Sequence, residues 1–297
     1  MSKKALQIIQ SPSRIQTGEV FVREMLFTHS YLTSVFLPLR RPADGVRTIS
    51  RSSGNVSLQL IGGSLPDGKG NFIDVPIPYG SKARLVMINL CSRAVKQRSE
   101  TIQLESSFTA FARELGHSTC HRSMIQLREQ MRRMSVLTMR LAKDGRGTTE
   151  VFTAPLFDSF KATYSKNPDQ QLLFPDSVQF SPKFYSSLMK HAVPISKDAL
   201  SSIQDSGLAI DVLLWSSARL PRTLHKTKIK WSSIQWAFGN NTDNRDSFKR
   251  RFKIAFNRVK KDAYPEARME IVRGGIVIEQ SPPPIPFKHR REGLLVG

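Results

Sequence analysis

The chain has 297 residues, of which 39% are hydrophobic, and this length and composition suit two domains or one large one and exclude a globally disordered chain. The formal net charge of +21 at pH 7 points to a polyanionic partner, with nucleic acid first and an anionic membrane surface second. Because no window of about 18 apolar residues occurs, the sequence predicts no membrane-spanning helix.

Residues 1–75 form an N-terminal extension in which short apolar runs alternate with Arg, Ser and Gly, a pattern typical of strands and loops. Within it, Gly63, Gly68 and Lys69 have the spacing of a phosphate-binding loop. Gly70 stands where Ser or Thr would bind the metal ion, and no clear helix follows to offer its N-terminus to phosphate. We therefore expect an exposed turn here, and the pattern assigns no role to the extension.

Residues 76–191 begin with the elements helix, strand and helix. A Pro/Gly turn leads into the first helix, whose buried face is expected to include Leu85 and Ile88. A short strand follows, and then a second helix, which Ser106 or Ser107 caps and Gly116 ends.

A basic amphipathic helix comes next, in the segment HSTCHRSMIQLREQMRRMSV. Its apolar stripe is predicted at Met124, Leu127, Met131 and Met134. The residues expected to point away from that stripe are Arg122, Ile125, Glu129 and Arg133. The runs 136–141 and 150–155 predict a hairpin around a Gly turn, and a helix at Pro182–His191 closes this half.

The same order of elements recurs in residues 192–286. Two helices precede a short strand and a short helix in KIKWSSIQWAFG, and a long helix follows. Its apolar stripe at helical period is Phe248, Phe252, Phe256 and Val259. Arg250, Lys253, Asn257 and Lys261 fall on or near the opposite face. The strands Met269–Val272 and Ile276–Glu279 flank the turn at Arg273, as a tight hairpin requires.

The two halves are therefore a degenerate internal repeat about 125 residues apart. A helix that is apolar on one side and cationic on the other suits insertion into a DNA major groove, although a core helix with a solvated basic face gives the same pattern. We predict an α+β fold with two tandem winged-helix domains, each a helix-turn-helix with a β-hairpin wing. Their predicted boundaries are residues 76–191 and 192–286, with strands and loops at residues 1–75 and a basic flexible tail at residues 287–297.

Several segments together resemble the plasmid-encoded RepA-type replication initiators. They span residues 76–286 in the family's order and include IPYGSKARLVMINLCSRAV, IQLREQMRRM, LAIDVLLWSSARL and FKRRFKIAFNRVKKDAYPEARMEI. The resemblance implies tandem winged helices that bind repeated double-stranded origin sequences (iterons), help to open an AT-rich duplex nearby and recruit host helicase and initiator proteins. It also implies autorepression by a homodimer and a cytoplasmic, bacterial location.

No set of residues in the sequence is spaced for catalysis, and no cofactor is expected. His117, Cys120 and His121 offer two or three metal ligands at one helix start without an evident fourth, so we expect a polar helix start near phosphate rather than a metal. Cys91 and Cys120 are expected to be reduced core or near-core thiols. The sequence therefore predicts a binding protein with no enzymatic activity.

The predicted DNA contacts fall into three groups. Base-edge candidates are Arg250, Lys253 and Asn257 in the second domain, since Arg recognises guanine and Asn adenine, and Arg122, Ile125, Gln126 and Glu129 in the first. Wing candidates, along the backbone or in a minor groove, are Lys143, Arg146 and Arg273. Further contacts are predicted for Arg132, Arg133, Arg245, Lys249, Arg258 and Lys261. Two such modules span about two turns of DNA, so a site near 20 bp is expected.

Two other function classes remain open. A winged-helix transcriptional repressor would bind a palindromic promoter operator instead of a direct-repeat array. A single-strand or RNA-binding protein would carry exposed aromatic residues among its basic ones, whereas Phe248, Phe252 and Phe256 are spaced for burial. A nuclease is the least favoured class.

Overall fold

The computed structural model describes residues 25–67, 69–104, 107–145, 147–162, 175–239 and 244–284. Within these ranges the chain is a mixed α+β structure. The predicted tail at residues 287–297 and the predicted wing residue Arg146 lie outside the described residues.

The first half of the described chain alternates short strands with longer helices. Its elements are β1 (Met25–His29), β2 (Thr48–Ser53), β3 (Val56–Ile61), β4 (Ser64–Pro66), β5 (Phe72–Asp74), α1 (Gly80–Gln97), β6 (Thr101–Gln103), α2 (Phe108–Glu114), α3 (His121–Ser135), β7 (Thr138–Asp144), β8 (Thr149–Pro155), β9 (Phe157–Ala162), β10 (Pro175–Phe180) and α4 (Pro182–His191). The helices and the β7–β8 hairpin follow the sequence prediction, whereas β9 and β10 were not predicted.

The second half has fewer strands. Its elements are β11 (Ala192–Ser196), α5 (Lys197–Ser201), α6 (Gly207–Arg219), β12 (Thr227–Lys230), α7 (Trp231–Phe238), α8 (Arg245–Arg258), β13 (Met269–Val272) and β14 (Gly275–Ile278). A π-helical turn at Val259–Ala263 extends α8. The helices, the strand β12 and the closing hairpin lie where the sequence predicts them, within a few residues.

Side-chain caps explain where several helices begin. The Ser107 hydroxyl accepts a hydrogen bond from the Ala110 backbone N–H at the start of α2, which decides between the two predicted caps. Asn244 caps α8 in the same way, because its Oδ1 accepts from the backbone N–H groups of Asp246 and Ser247. These bonds satisfy amide donors that have no partner inside the helix.

The N-terminal extension contributes two strands to the sheet of the first half. The antiparallel order is β2-β3-β7-β8, with β3 paired along β7 from Val56 opposite Lys143 to Ile61 opposite Thr138. Leu58 and Leu60 are buried in the core on one face of this sheet. A lone two-stranded hairpin is only marginally stable in water, so β2 and β3 give the β7–β8 hairpin the neighbours that it needs.

The remaining strands form smaller antiparallel sheets. Their orders are β1-β11, β6-β10-β9, β12-β14-β13 and β4-β5. In β14, a Cβ added to Gly275 would lie 1.9 Å from the carbonyl oxygen of Ile229, so only glycine allows β12 to approach this closely. The β4–β5 hairpin contains Gly63 and Lys69 at its base and turn, and the next helix begins only at Gly80. This agrees with the exposed turn expected there.

A buried ion pair joins the two halves where α1 packs against α6. The Arg84 guanidinium donates two hydrogen bonds to the Asp211 carboxylate, Nε to Oδ1 at 2.6 Å and Nη2 to Oδ2 at 2.7 Å. Its other donors reach the backbone carbonyl groups of Leu37, Pro38 and Gly80. Burial raises the pKa of the Asp211 carboxyl, and the bonds from Arg84 oppose that rise.

A second link joins β2 to α7 across the same boundary. The Trp236 indole Nε1 donates to the Ser52 hydroxyl at 2.7 Å, and the Arg51 guanidinium donates to the Gly239 carbonyl oxygen. The buried apolar side chains of both halves form one continuous core cluster. The two halves are therefore packed together as one body and are not held by a linker alone.

The two cysteines have different surroundings. Cys91 is buried in α1, and burial raises the pKa of its thiol to about 12. Cys120 is exposed at the N-cap of α3, so the expectation of a core or near-core position is wrong for this residue. In the described part of the chain, no helix combines the length and the apolar character that crossing a membrane requires.

Candidate nucleic-acid interface

Helix α8 is anchored by its apolar stripe. Phe248, Phe252, Phe256 and Val259 are all fully or almost fully buried, as the helical period predicts. The ring of Phe252 meets the rings of Trp231 and Phe238 edge-on, at centroid distances of 5.8 Å and 5.3 Å. Because α7 holds both of those residues, it sets how α8 is rotated about its axis.

The opposite face of α8 is open to solvent. Arg250, Lys253, Asn257 and Lys261 are exposed, so the predicted orientation of these four residues is confirmed. An open groove along this face is lined by Asp246, Lys249, Arg250, Lys253, Ile254 and Asn257. The Lys249 ammonium lies 3.1 Å from the Asp246 carboxylate, which holds it at the rim of the groove. The face combines cationic, amide and apolar groups, which are the kinds of group that contact phosphates and base edges in DNA.

Arg258, at the end of α8, is engaged with the protein itself. Its guanidinium lies 2.6 Å from the Asp205 carboxylate and also donates to the carbonyl oxygen of Ser202. The hydrogen bond from Arg258 lowers the pKa of Asp205 and raises that of Arg258. This pair ties the C-terminal end of α8 to the loop before α6, and a DNA contact by Arg258 stays a prediction.

Helix α3 shows the corresponding arrangement in the first half. Leu127, Met131 and Met134 are buried, and Met124 is packed against the core. Arg122, Ile125 and Gln126 are exposed on the other side. The helix therefore offers a polar face to solvent, as its periodicity predicts.

The expectation that Arg133 points away from the apolar stripe is wrong. Its side chain is 4% exposed, and Nε donates to Glu129 Oε1 at 2.8 Å. Nη1 donates to the Ile77 carbonyl oxygen at 3.1 Å, and the guanidinium lies over the ring of Tyr79. The segment before α1 covers this flank of α3, and the local sequence does not show that contact. Arg133 thus also engages the carboxylate of Glu129, one of the predicted base-edge residues.

The other predicted contacts lie at the periphery. Arg245 is exposed as the first residue of α8, Lys143 is exposed near the end of β7, and Arg273 is exposed in the turn between β13 and β14. Arg132 is half-buried, 3.6 Å from the Glu129 carboxylate. Contacts of these residues with the DNA backbone stay a prediction.

The start of α3 gathers several titratable groups without forming a metal site. Burial and the nearby Lys82 lower the pKa of the half-buried His117 to about 4. A hydrogen bond from Ser118 lowers the pKa of the exposed Cys120 thiol. Among the described residues, no group of three or more His, Cys, Asp or Glu side chains is arranged to hold a metal ion.

The burial pattern reveals the repeat more clearly than the residue identities do. The buried positions Leu127, Gln130, Met131 and Met134 of α3 correspond, each 125 residues later, to Phe252, Ala255, Phe256 and Val259. The two basic helices thus present equivalent faces to the shared core. In the same register Ile125 corresponds to Arg250, and Glu129 corresponds to Ile254.

Ile254 is an exposed apolar residue of the groove that was not predicted from the sequence. It is 65% exposed among Arg250, Lys253 and Asn257. Its position four residues after Arg250, and so on the same face of the helix one turn later, is the signal that could have identified it.

A basic α+β protein with two such helices falls in the class suited to binding nucleic acid. The model of the family described as plasmid-encoded RepA protein matches residues 77–238, more than half of the chain. The protein therefore belongs to the plasmid-encoded RepA family.

Two solved structures have a similar fold. A crystal structure of selenomethionine derivatives of domains 2 and 3 of RctB aligns with a TM-score of 0.57 at 10% identity, covering 84% of this chain and 98% of that one. A second structure of RctB domains 2–3 aligns with a TM-score of 0.51 at 12% identity, covering 84% and 94%. No curated protein matches the chain.

Proposed function

We propose that this protein is a plasmid replication initiator that binds repeated double-stranded origin sequences through two winged helices. Family membership supports the initiator role. The observation that carries the binding mode is the repeat of α3 and α8, in which equivalent buried positions leave a polar face exposed in each half. Each helix inserts this face into a major groove, and the hairpin that follows it acts as the wing.

The packing between the halves supports one composite DNA site. Helix α3 contacts α1, α1 packs on α6, and α6 contacts α8, with the Arg84–Asp211 pair inside this stack. Both recognition helices therefore keep a fixed relation to each other. On this proposal the protein protects one site of about 20 bp, with both helices on one side of the DNA.

The proposal includes three further steps, for which family membership is the only support. The bound protein promotes opening of the adjacent AT-rich duplex, recruits host helicase and initiator proteins, and represses its own promoter as a homodimer. The chain supplies binding energy and performs no chemical step. Phosphate contacts from its Lys and Arg residues provide most of the affinity, and they make it depend steeply on salt.

Fluorescence anisotropy with a repeat from the plasmid's own origin and a scrambled duplex, across a salt series, tests this function. We expect a specificity ratio above about 10³ and a steep fall of affinity with salt. Equal affinity for both duplexes would refute the initiator proposal. Tight binding to a promoter palindrome, but not to the direct repeats, would instead favour the repressor.

The Arg250→Ala variant tests whether the exposed face of α8 contacts base edges. Arg250 is exposed on the groove, so its loss is expected to cost roughly 1–3 kcal/mol on the origin repeat and less on the scrambled duplex. Arg258→Gln is the matched control, because it removes one positive charge from the same helix at a guanidinium that is bonded to Asp205. For this variant, the ratio of affinities for the repeat and the scrambled duplex should stay unchanged. An equal loss of affinity on both duplexes for Arg250→Ala would contradict a base contact.

A further inference from the structure

Each of the two basic helices carries one isoleucine on its exposed polar face. Ile254 of α8 is 65% exposed and lines the groove with Arg250 and Asn257. Ile125 of α3 is 50% exposed and is followed by the exposed Gln126. Both apolar side chains thus lie among the groups proposed to contact base edges.

Stability does not account for isoleucine at these positions. A single exposed apolar residue is ordinary on a protein surface. However, isoleucine loses side-chain freedom in a helix because it is β-branched, so an exposed helical position favours unbranched residues. The same stiffness makes it a well-defined apolar surface, since its preferred χ1 rotamer is already populated before any ligand binds. Two such residues on the two predicted reading faces therefore point to a binding role.

We propose that Ile254 and Ile125 recognise thymine by packing against its 5-methyl group in the major groove. This inference rests on the proposed function and adds a base preference to it. The thymine methyl is the apolar feature among the hydrogen-bonding groups of the major groove, and apolar side chains recognise it by contact. The neighbours of Ile254 supply donors for the adjacent bases, so the isoleucine selects a thymine beside a base that Arg250 or Asn257 contacts.

The two isoleucines lie at different positions along the axes of their helices. In the repeat register, Ile125 corresponds to Arg250, one turn before the position of Ile254. The two modules therefore do not read the same pattern of bases. Each isoleucine should select its own thymine, at different places within the two half-sites.

Uracil substitution isolates the methyl group, because deoxyuridine pairs as thymidine does and lacks only that methyl. Each thymine of a protected origin repeat is replaced in turn, and affinities are measured by anisotropy. For the wild-type protein we expect a loss of about fourfold at one thymine per half-site, the factor that corresponds to burial of one methyl group. The Ile254→Ala variant should bind the thymine and uracil duplexes equally at one of these positions, and Ile125→Ala at the other.

Two controls separate this contact from general effects. Ile254→Val keeps a branched apolar side chain and should retain part of the preference for thymine. Leu224→Ala removes an apolar residue that is 82% exposed in the loop after α6, and it should leave every thymine-to-uracil ratio unchanged.

The outcomes distinguish this inference from the function on which it rests. If the wild-type protein does not distinguish the repeat from a scrambled duplex, the proposed function itself fails. If it does distinguish them, but no uracil substitution weakens binding or Ile254→Ala keeps the same ratios as wild type, thymine recognition by Ile254 is refuted. The proposed function then stands.

Discussion

The Arg84–Asp211 pair provides the sharpest test of how the two halves hold together. The side chains are 3% and 1% exposed, and the carboxylate accepts two hydrogen bonds from the guanidinium. The Asp211→Leu variant would leave a buried guanidinium without its anion and with two donors unsatisfied. Breaking a buried pair in this way costs about 3–5 kcal/mol, so we expect the free energy of unfolding to fall by that amount.

Urea denaturation followed by tryptophan fluorescence measures this loss, since Trp215 lies one turn from Asp211 on α6. The matched control is Asp44→Leu, because the Arg41–Asp44 pair is 60% and 88% exposed and an exposed pair contributes at most about 1 kcal/mol. If the two variants lose equal stability, the buried pair does not join the halves as we infer.

The double variant Arg84→Met/Asp211→Leu tests how much the hydrogen bonds from Arg84 to backbone carbonyl groups contribute to stability. Replacing both charges removes the unpaired ion and should restore part of the stability lost in Asp211→Leu. Recovery should be incomplete, because Arg84 also donates to the carbonyl groups of Leu37, Pro38 and Gly80. Each buried carbonyl that loses its donor costs about 1–3 kcal/mol. Full recovery would show that these carbonyl groups find other donors.

Two further predictions concern buried rings. The Phe252→Ala variant should lose about 3–5 kcal/mol of stability, because it removes the ring that meets Trp231 and Phe238, and an unchanged melting temperature would refute that packing. Burial, with His191 nearby, lowers the pKa of His29 to about 3, so the folded protein keeps this ring neutral while the unfolded chain protonates it below about pH 6.5. Stability should therefore fall by about 2 kcal/mol from this group between pH 7 and pH 5, and His29→Gln should lose less than wild type over that range in urea titrations.

The sequence by itself determined the helices and the hairpin that follows each basic helix. The four-residue spacing of Phe248, Phe252 and Phe256 specifies which side of α8 is buried. A serine cap was expected at the start of α2, and Ser107 caps it. Periodicity and capping act within one or two turns, so neighbouring residues contain all the information needed. The same local signals were enough to find the repeated layout and the resemblance to the RepA family, which the family comparison confirms over residues 77–238.

Only the tertiary structure decided which distant groups meet. Arg133 has the sequence pattern of an exposed basic residue, yet the segment at Ile77 and Tyr79 buries it. Strand β3 joins β7 across about 80 residues, and Arg84 meets Asp211 across 127 residues. The edge of a strand or a buried charge could be paired with many different partners, so the local sequence does not specify which one it meets. The partner is selected only when whole elements pack together and the complete core forms.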